Sequence, residues 1–182
     1  MYVTPTDIVF DSIKLQADAL SIINKYNTNI NLRKQANTQD ANALMYCVGS
    51  LHDSRTNKWW AHERDFTTPI GYFSDMYIAE VICKIEVYAR ERHNLSIGRA
   101  RLLTLQPKST LSLHKDYLGT LRFHVPITTN DSALFIHRDS GQYIVSTMGE
   151  VGRLYTFDAS IEHTAINASQ MQTRTHLVLV AY

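Results

Sequence analysis

The chain has 182 residues and is short of the residues that staple, break or repeat a structure: two cysteines, seven glycines and four prolines. Cys47 and Cys83 form no CxxC pair, which argues against a zinc ribbon or a thioredoxin-like motif. Both have apolar neighbours in the sequence, so two buried thiols in a reducing compartment are expected. There is no internal repeat, low-complexity tract or linker. Charge of one sign is missing too: 18 Lys and Arg face 17 Asp and Glu, for a net charge of +1. Phosphate-gripping proteins carry a basic stripe, so nucleic acid is not expected as a partner. Arg90, Arg92, Arg99 and Arg101 cluster loosely, but with Glu86 and Glu91 nearby they read as a solvated helix end. No stretch approaches the roughly 18 apolar residues of a membrane span. The opening MYVTPTDIVF lacks a basic segment followed by a long apolar run. A cytoplasmic location away from membranes is therefore expected.

What remains is an ordinary globular composition, 45% hydrophobic and 19% charged, long enough for one domain over residues 1–182. Periodicity divides it into a mixed N-terminal part, 1–96, and a β-rich part, 97–182. Residues 11–25 read as a helix capped by Asp11 or Ser12. Residues 75–92 read as a second, with Ile78, Val81, Ile82, Ile85, Tyr88 and Ala89 on one apolar face and Asp75 as N-cap. Arg90 and Arg92 suit its negative end. Residues 45–51 read as a strand, and 52–70 as a polar, irregular stretch. From residue 97 short strands follow one another: 98–106, 111–116, 119–128, 132–137, 142–148, 153–157, 161–167 and 174–181. Asp139-Ser140-Gly141 supplies one of the turns. Some eight strands after two helices predict a mainly β fold with flanking helices, a double-stranded β-helix or jelly roll.

Within the β-rich part, residues 112–116 read Ser-Leu-His-Lys-Asp. On a strand His114 and Asp116 share a face, with Cα atoms about 6.6 Å apart. His163 offers a third ligand from a distant strand. Two imidazoles and one carboxylate leave positions open on a divalent iron, as in the facial triad of non-haem iron oxygenases. An isolated HxD pair is weak, since any solvated strand can carry one; the surrounding residues give it weight.

Arg122 and His124 share a face of the next strand, while Leu121, Phe123 and Val125 take the other. On the last strand Arg174, His176 and Val178 oppose Leu177 and Leu179. Arginine beside apolar strand residues is rarely buried without a partner, and a dicarboxylate suits it, because guanidinium and carboxylate pair through parallel hydrogen bonds. Each of these residues alone reads as a surface ion pair; together at these spacings they do not.

The segments LTLQPKSTLSLHKD, RFHVPI and GEVGRLYTFDASIEH, followed by Arg174, resemble the aspartyl/asparaginyl β-hydroxylases and the related bacterial proline hydroxylases over about residues 97–182. FDASIEH resembles that family's FDDSxEH segment. The resemblance implies that His114, Asp116 and His163 bind Fe(II), that Arg174 holds the far carboxylate of 2-oxoglutarate, and that Arg122 and His124 contact its other end. Dioxygen would be the second cosubstrate. The animal enzymes lack a carboxylate at the position of Asp116, so this chain stands nearer the bacterial ones. No part of the resemblance reaches the N-terminal half, where His52, Arg55, Trp59, Trp60 and Arg64 are candidates for substrate contact from loops. His137 and His176 read as structural or solvated rather than as ligands.

The function expected is therefore a 2-oxoglutarate- and Fe(II)-dependent dioxygenase that hydroxylates an amino-acid side chain, free or in a peptide. Three alternatives stand beside it: the same chemistry on a nucleobase or small metabolite, a cupin-like module that binds metal without turnover, and a zinc hydrolase. The last leaves Arg122, His124 and Arg174 without a purpose.

Overall fold

The structure, a computed structural model, describes residues 2–26, 32–34, 44–48, 52–54, 66–69, 74–116 and 121–182; of residues 25–69 only the backbone of the helix end and the strands is described. In chain order the elements are β1 (Val3–Val9), α1 (Ser12–Tyr26), β2 (Leu32–Lys34), β3 (Leu44–Val48), β4 (His52–Ser54), β5 (Phe66–Pro69), α2 (Tyr77–His93), β6 (Ile97–Leu105) and β7 (Ser109–Thr110). Then come β8 (Leu121–Thr128), β9 (Ala133–Asp139), β10 (Gln142–Ser146), β11 (Arg153–Asp158), β12 (Glu162–Asn167) and β13 (Arg174–Ala181). They build a seven-stranded sheet, β1-β11-β8-β13-β6-β3-β2, a four-stranded sheet, β10-β9-β12-β7, and the pair β4-β5. Every described strand pairing is antiparallel. The mainly β, helix-flanked jelly roll expected from strand count is the fold observed.

Strand alternation splits the larger sheet into two faces. Ala100, Leu102, Phe123, Val125, Ile127, Leu177 and Leu179 are buried against α1 and α2 in one core. The other face turns toward the smaller sheet, and Leu105, Tyr155 and Phe157 meet Phe135 and Ala165 across the gap in a second, smaller core. Arg122, His124, Arg174 and His176 alternate with the first set and so face the gap between the sheets. That opposition of faces is what places polar groups inside the barrel.

The helices are tied down by polar contacts as well as by apolar faces. Asp11 caps α1, its Oδ1 accepting from the backbone N–H groups of Ile13 and Lys14, both at 3.1 Å. Leu15, Ala19 and Ile22 are the buried face. On α2 the buried residues are Ile78, Val81, Ile82, Ile85 and Ala89, as the spacing predicts, with Tyr88 half-buried. Asp75 does not cap α2. The N-cap is Met76, with no side-chain cap bond; instead Asp18 on α1 accepts from the N–H of Ile78 at 2.8 Å. A neighbouring helix thus satisfies one of the orphan donors that a local side chain would otherwise take.

Several other expectations change. Strand β1 was not foreseen: Pro5 interrupts its pattern, and the structure accommodates it on the edge of the sheet, where a missing N–H costs no ladder bond. The predicted strand 111–116 reduces to one bridge, His114 with His163, and the short β7 lies just before it. Cys83 is exposed on α2 rather than buried, because it falls off the apolar face; the side chain of Cys47 lies outside the described residues. Arg99 and Arg101 are half-buried on β6, whereas Arg90 and Arg92 are exposed at the helix end. The Ser140-Gly141 turn is as expected, with φ of 50° and 80°, the twist that a two-residue hairpin between β9 and β10 requires. At Gly152, φ is +82° and a Cβ would lie 2.5 Å from the carbonyl oxygen of Phe10, so the close approach of the β1–α1 junction depends on glycine. Among the described residues no helix is long and apolar enough to cross a membrane.

Candidate active site

His114 and His163 are cross-strand partners that exchange both backbone bonds: His114 N–H to His163 O at 3.0 Å and His163 N–H to His114 O at 2.8 Å. Their rings are 4.5 Å apart between centroids. Asp116 follows, its N–H donating to Ala159 O at 3.0 Å. Ligand atoms of His114, Asp116 and His163 all lie within 4.8 Å of one another. The backbone that supports this cluster is a bridge between strand ends rather than the ladder strand the sequence predicts, yet it presents the same three side chains together.

Hydrogen bonds fix the chemistry of each donor. His114 Nδ1 lies 2.7 Å from Ser112 O, and His163 Nδ1 lies 2.8 Å from Ile161 O. A carbonyl only accepts, so Nδ1 carries the proton in both rings and Nε2 keeps its lone pair for a metal. Burial pushes the protonation of His163 below the usual histidine range, which favours that neutral form. Asp116 Oδ2 accepts from both Nε and Nη2 of Arg122, at 3.0 and 2.8 Å, leaving Oδ1 as the oxygen for an ion. Two neutral imidazoles and one carboxylate suit ferrous iron and leave part of its coordination sphere open.

A cavity of about 250 Å³ lies beside the triad, bordered by His114, Asp116, His163, Arg122, His124, Arg174, His176, Arg101, Phe135 and Phe157 among others. Arg174 is buried, with 6% of its surface exposed. Its Nε donates to His176 Nε2 at 3.1 Å, and its guanidinium sits over the Phe135 ring, 4.2 Å from the centroid. Among the described residues no carboxylate pairs with it. Burial lowers its protonation to about 9, so at neutral pH it is a cation walled by aromatic rings and a neutral histidine. Burial, reinforced by Arg174, also holds His124 and His176 well below the ordinary histidine value. A buried cation with no anion is costly, and the cavity it borders is where an anion would enter.

Sequence reasoning brought His114, Asp116, His163, Arg122, His124 and Arg174 to one place, and the structure puts all six on this cavity. Arg122 spends at least two of its donors on Asp116. Arg55, Trp59, Trp60 and Arg64 lie outside the described residues, as does the side chain of His52. Two further polar residues line the cavity, His176 and Arg101. His176, read as structural or solvated, takes the structural role: it is buried at Arg174, on the inward face of β13 that it shares with that residue. Arg101 was read as part of a helix end, although alternation on β6 sets it opposite Ala100 and Leu102. His137 is buried behind His163, its Nε2 3.1 Å from Asp158 O; it lies outside the cluster of possible ligands.

The architecture is similar to that of a 2-oxoglutarate-Fe(II) oxygenase-family oxidoreductase from Burkholderia pseudomallei, at 14% identity and a TM-score of 0.59, covering 91% of this chain and 78% of that one. It is similar as well to a prolyl hydroxylase from Trichoplax adhaerens solved with a hypoxia inducible factor peptide fragment, at 10% identity and 0.64, covering 100% and 83%. A viral collagen prolyl hydroxylase from Paramecium Bursaria Chlorella virus-1, solved with 2-oxoglutarate, gives 9% and 0.61, covering 100% and 96%. At these identities the likeness is one of fold. No curated protein matches the sequence. Residues 78–182 match the aspartyl/asparaginyl β-hydroxylase family, and the chain belongs to that family. Family and fold define the class: a hydroxylase that depends on 2-oxoglutarate and Fe(II).

Proposed function

We propose that His114, Asp116 and His163 hold the iron, that Arg174 pins the distal carboxylate of 2-oxoglutarate, and that the substrate is an amino-acid side chain, free or within a peptide. The observation that carries this reading is the buried guanidinium of Arg174, with no carboxylate partner among the described residues, on the cavity that also receives the three metal donors. Bound iron with 2-oxoglutarate and dioxygen supplies the oxidising chemistry, in which the cosubstrate becomes succinate and CO₂ and a C–H bond becomes C–OH.

The residues of the chain set that chemistry up. His176 and Phe135 hold Arg174 from its edge and its face, and the residue borders the cavity. Arg122 holds one oxygen of Asp116 and turns the other toward the ion. His124, neutral in its buried position, lines the cavity between them and can donate or accept toward the cosubstrate. Phe135, Phe157 and Leu111 keep the interior poor in water, which strengthens each of these interactions. Strands β1 and β3 belong to the same sheet as β6, β8 and β13, which supports one catalytic unit over residues 1–182.

The test is anaerobic loading with Fe(II) and 2-oxoglutarate, followed by exposure to oxygen. A weak visible charge-transfer band and succinate formation, stimulated by an amino acid or peptide, are expected. A protein that binds zinc, shows no band and makes no succinate contradicts the proposal.

A further inference from the structure

Arg174, His176 and His124 form a row on the inward face of β13 and β8. The facing pairs His176–Pro126 and Val178–His124 set the two histidines diagonally across neighbouring strands, within reach of each other. Their Nδ1 atoms lie 3.4 Å apart, and the rings meet edge to face, 5.7 Å between centroids. From the other sheet the Phe135 ring packs on all three, 4.2 Å from the Arg174 guanidinium, 5.5 Å from His124 and 6.0 Å from His176. Among the described residues these three polar side chains are one another's hydrogen-bond partners.

The protons in this row follow from its chemistry. A guanidinium only donates, and a neutral imidazole carries a single N–H. Burial holds both histidines neutral. Arg174 aims its one Nε–H at Nε2 of His176, 3.1 Å away. That nitrogen therefore accepts, and the proton of His176 sits on Nδ1. Nη2 of Arg174 lies 3.2 Å from this Nδ1; were Nδ1 the bare nitrogen, the shorter Nε contact would set two N–H groups head to head. The Nδ1–H of His176 then has Nδ1 of His124 as its acceptor, so His124 carries its own proton on Nε2. That atom has no hydrogen-bond partner among the described residues, and His124 lines the cavity.

We propose, resting on the function given above, that His176 is a positioning residue for the cosubstrate: it holds the edge of Arg174 and, through its own proton, makes His124 a donor. The row runs in one direction, Arg174 to His176 to His124, and ends in an N–H offered to an anion in the cavity. A bare Nε2 on His124 would instead set its lone pair against those of a carboxylate.

Two measurements test this. In the metal-free wild-type chain, isotope-labelled at the histidine nitrogens, long-range proton–nitrogen correlations tell a protonated ring nitrogen from a bare one. The His124→Gln and His176→Gln variants assign the signals. Protons on Nδ1 of His176 and Nε2 of His124 are expected; a proton on Nε2 of His176 or on Nδ1 of His124 overturns the inference. In the Fe(II)-loaded enzyme, His176→Phe should raise the KM for 2-oxoglutarate roughly 10–100-fold, the scale for losing a hydrogen bond to a charged group, with Fe(II) affinity unchanged. His176→Gln, whose amide can accept from Arg174 and donate to His124, should recover part of the loss. A Gln variant no better than Phe, or iron binding weakened as much as cosubstrate binding, overturns it too. A wrong tautomer sinks this inference alone; a wild-type chain that binds no 2-oxoglutarate sinks the proposed function with it.

Discussion

Arg122 places two donors on a single oxygen of Asp116, Nε at 3.0 Å and Nη2 at 2.8 Å. The pair lies at the edge of the cavity, with side-chain exposures of 8% and 27%. On the proposed assignment Arg122 orients a metal carboxylate, so Arg122→Met should weaken Fe(II) binding by about 10–100-fold, the usual cost of losing a partner behind a ligand. Titration of the apoprotein with Fe(II) under nitrogen measures this. Intact iron affinity with a selective loss of 2-oxoglutarate would instead give Arg122 to the cosubstrate.

Arg174 should affect stability and binding in opposite senses. It is a buried cation with no carboxylate partner among the described residues, so Arg174→Met should keep or raise the melting temperature of the metal-free, cosubstrate-free form. The same change should remove about 2–5 kcal/mol of 2-oxoglutarate binding. Thermal melts with and without Mn(II) and 2-oxoglutarate report both effects. A variant that melts lower but still gains full stability from the cosubstrate would contradict the assignment.

His124 and His176 make the free protein sensitive to acid. Both are held well below the ordinary value of 6.5 by burial, so the unfolded chain takes up protons in a range where the native protein does not. Stability then rises with pH: it is fully present above about 6.5 and falls as the pH drops below that value. The loss approaches about 1.4 kcal/mol per pH unit for each histidine. Urea unfolding of metal-free protein between pH 7.5 and pH 5 should show it as a falling midpoint, and the His124→Gln, His176→Gln double variant should flatten the curve. An unchanged slope in that variant would assign the acid sensitivity elsewhere.

Asp18 joins the two helices by accepting from Ile78 N–H at 2.8 Å. Asp18→Ala leaves that helix-end donor without its partner and should cost about 1 kcal/mol, lowering the melting temperature by about 2–4 °C for a chain of this size. Asp75→Ala, at the position that sequence alone suggests as the cap, should change it much less.

The strongest periodic signals were legible without coordinates: the apolar stripe of α2, and the alternation on β8 and β13 that sorts Phe123 and Leu177 from Arg122 and Arg174. What failed did so for physical reasons. The Met76 N-terminus of α2 is satisfied from another helix, and no local motif records a partner 60 residues away. Pro5 hid an edge strand. The cluster 111–116 looks like a strand in residue type, yet only His114 finds a bridge partner. Arg101 was grouped with a solvated helix end, and His176 was read as structural or solvated without a place at the site. Their inward placement followed from strand phase, which the sequence already contained, whereas which residues of the facing sheet meet them depends on pairings distant in the chain.

The most direct measurement is a crystal structure of the protein loaded anaerobically with Mn(II) and 2-oxoglutarate, with the ion located by its anomalous scattering. The ion should sit at bonding distance from Nε2 of His114, Nε2 of His163 and Oδ1 of Asp116, with the distal carboxylate of the cosubstrate paired to Arg174. An ion held by other residues, or a cosubstrate carboxylate turned away from Arg174, would contradict the account.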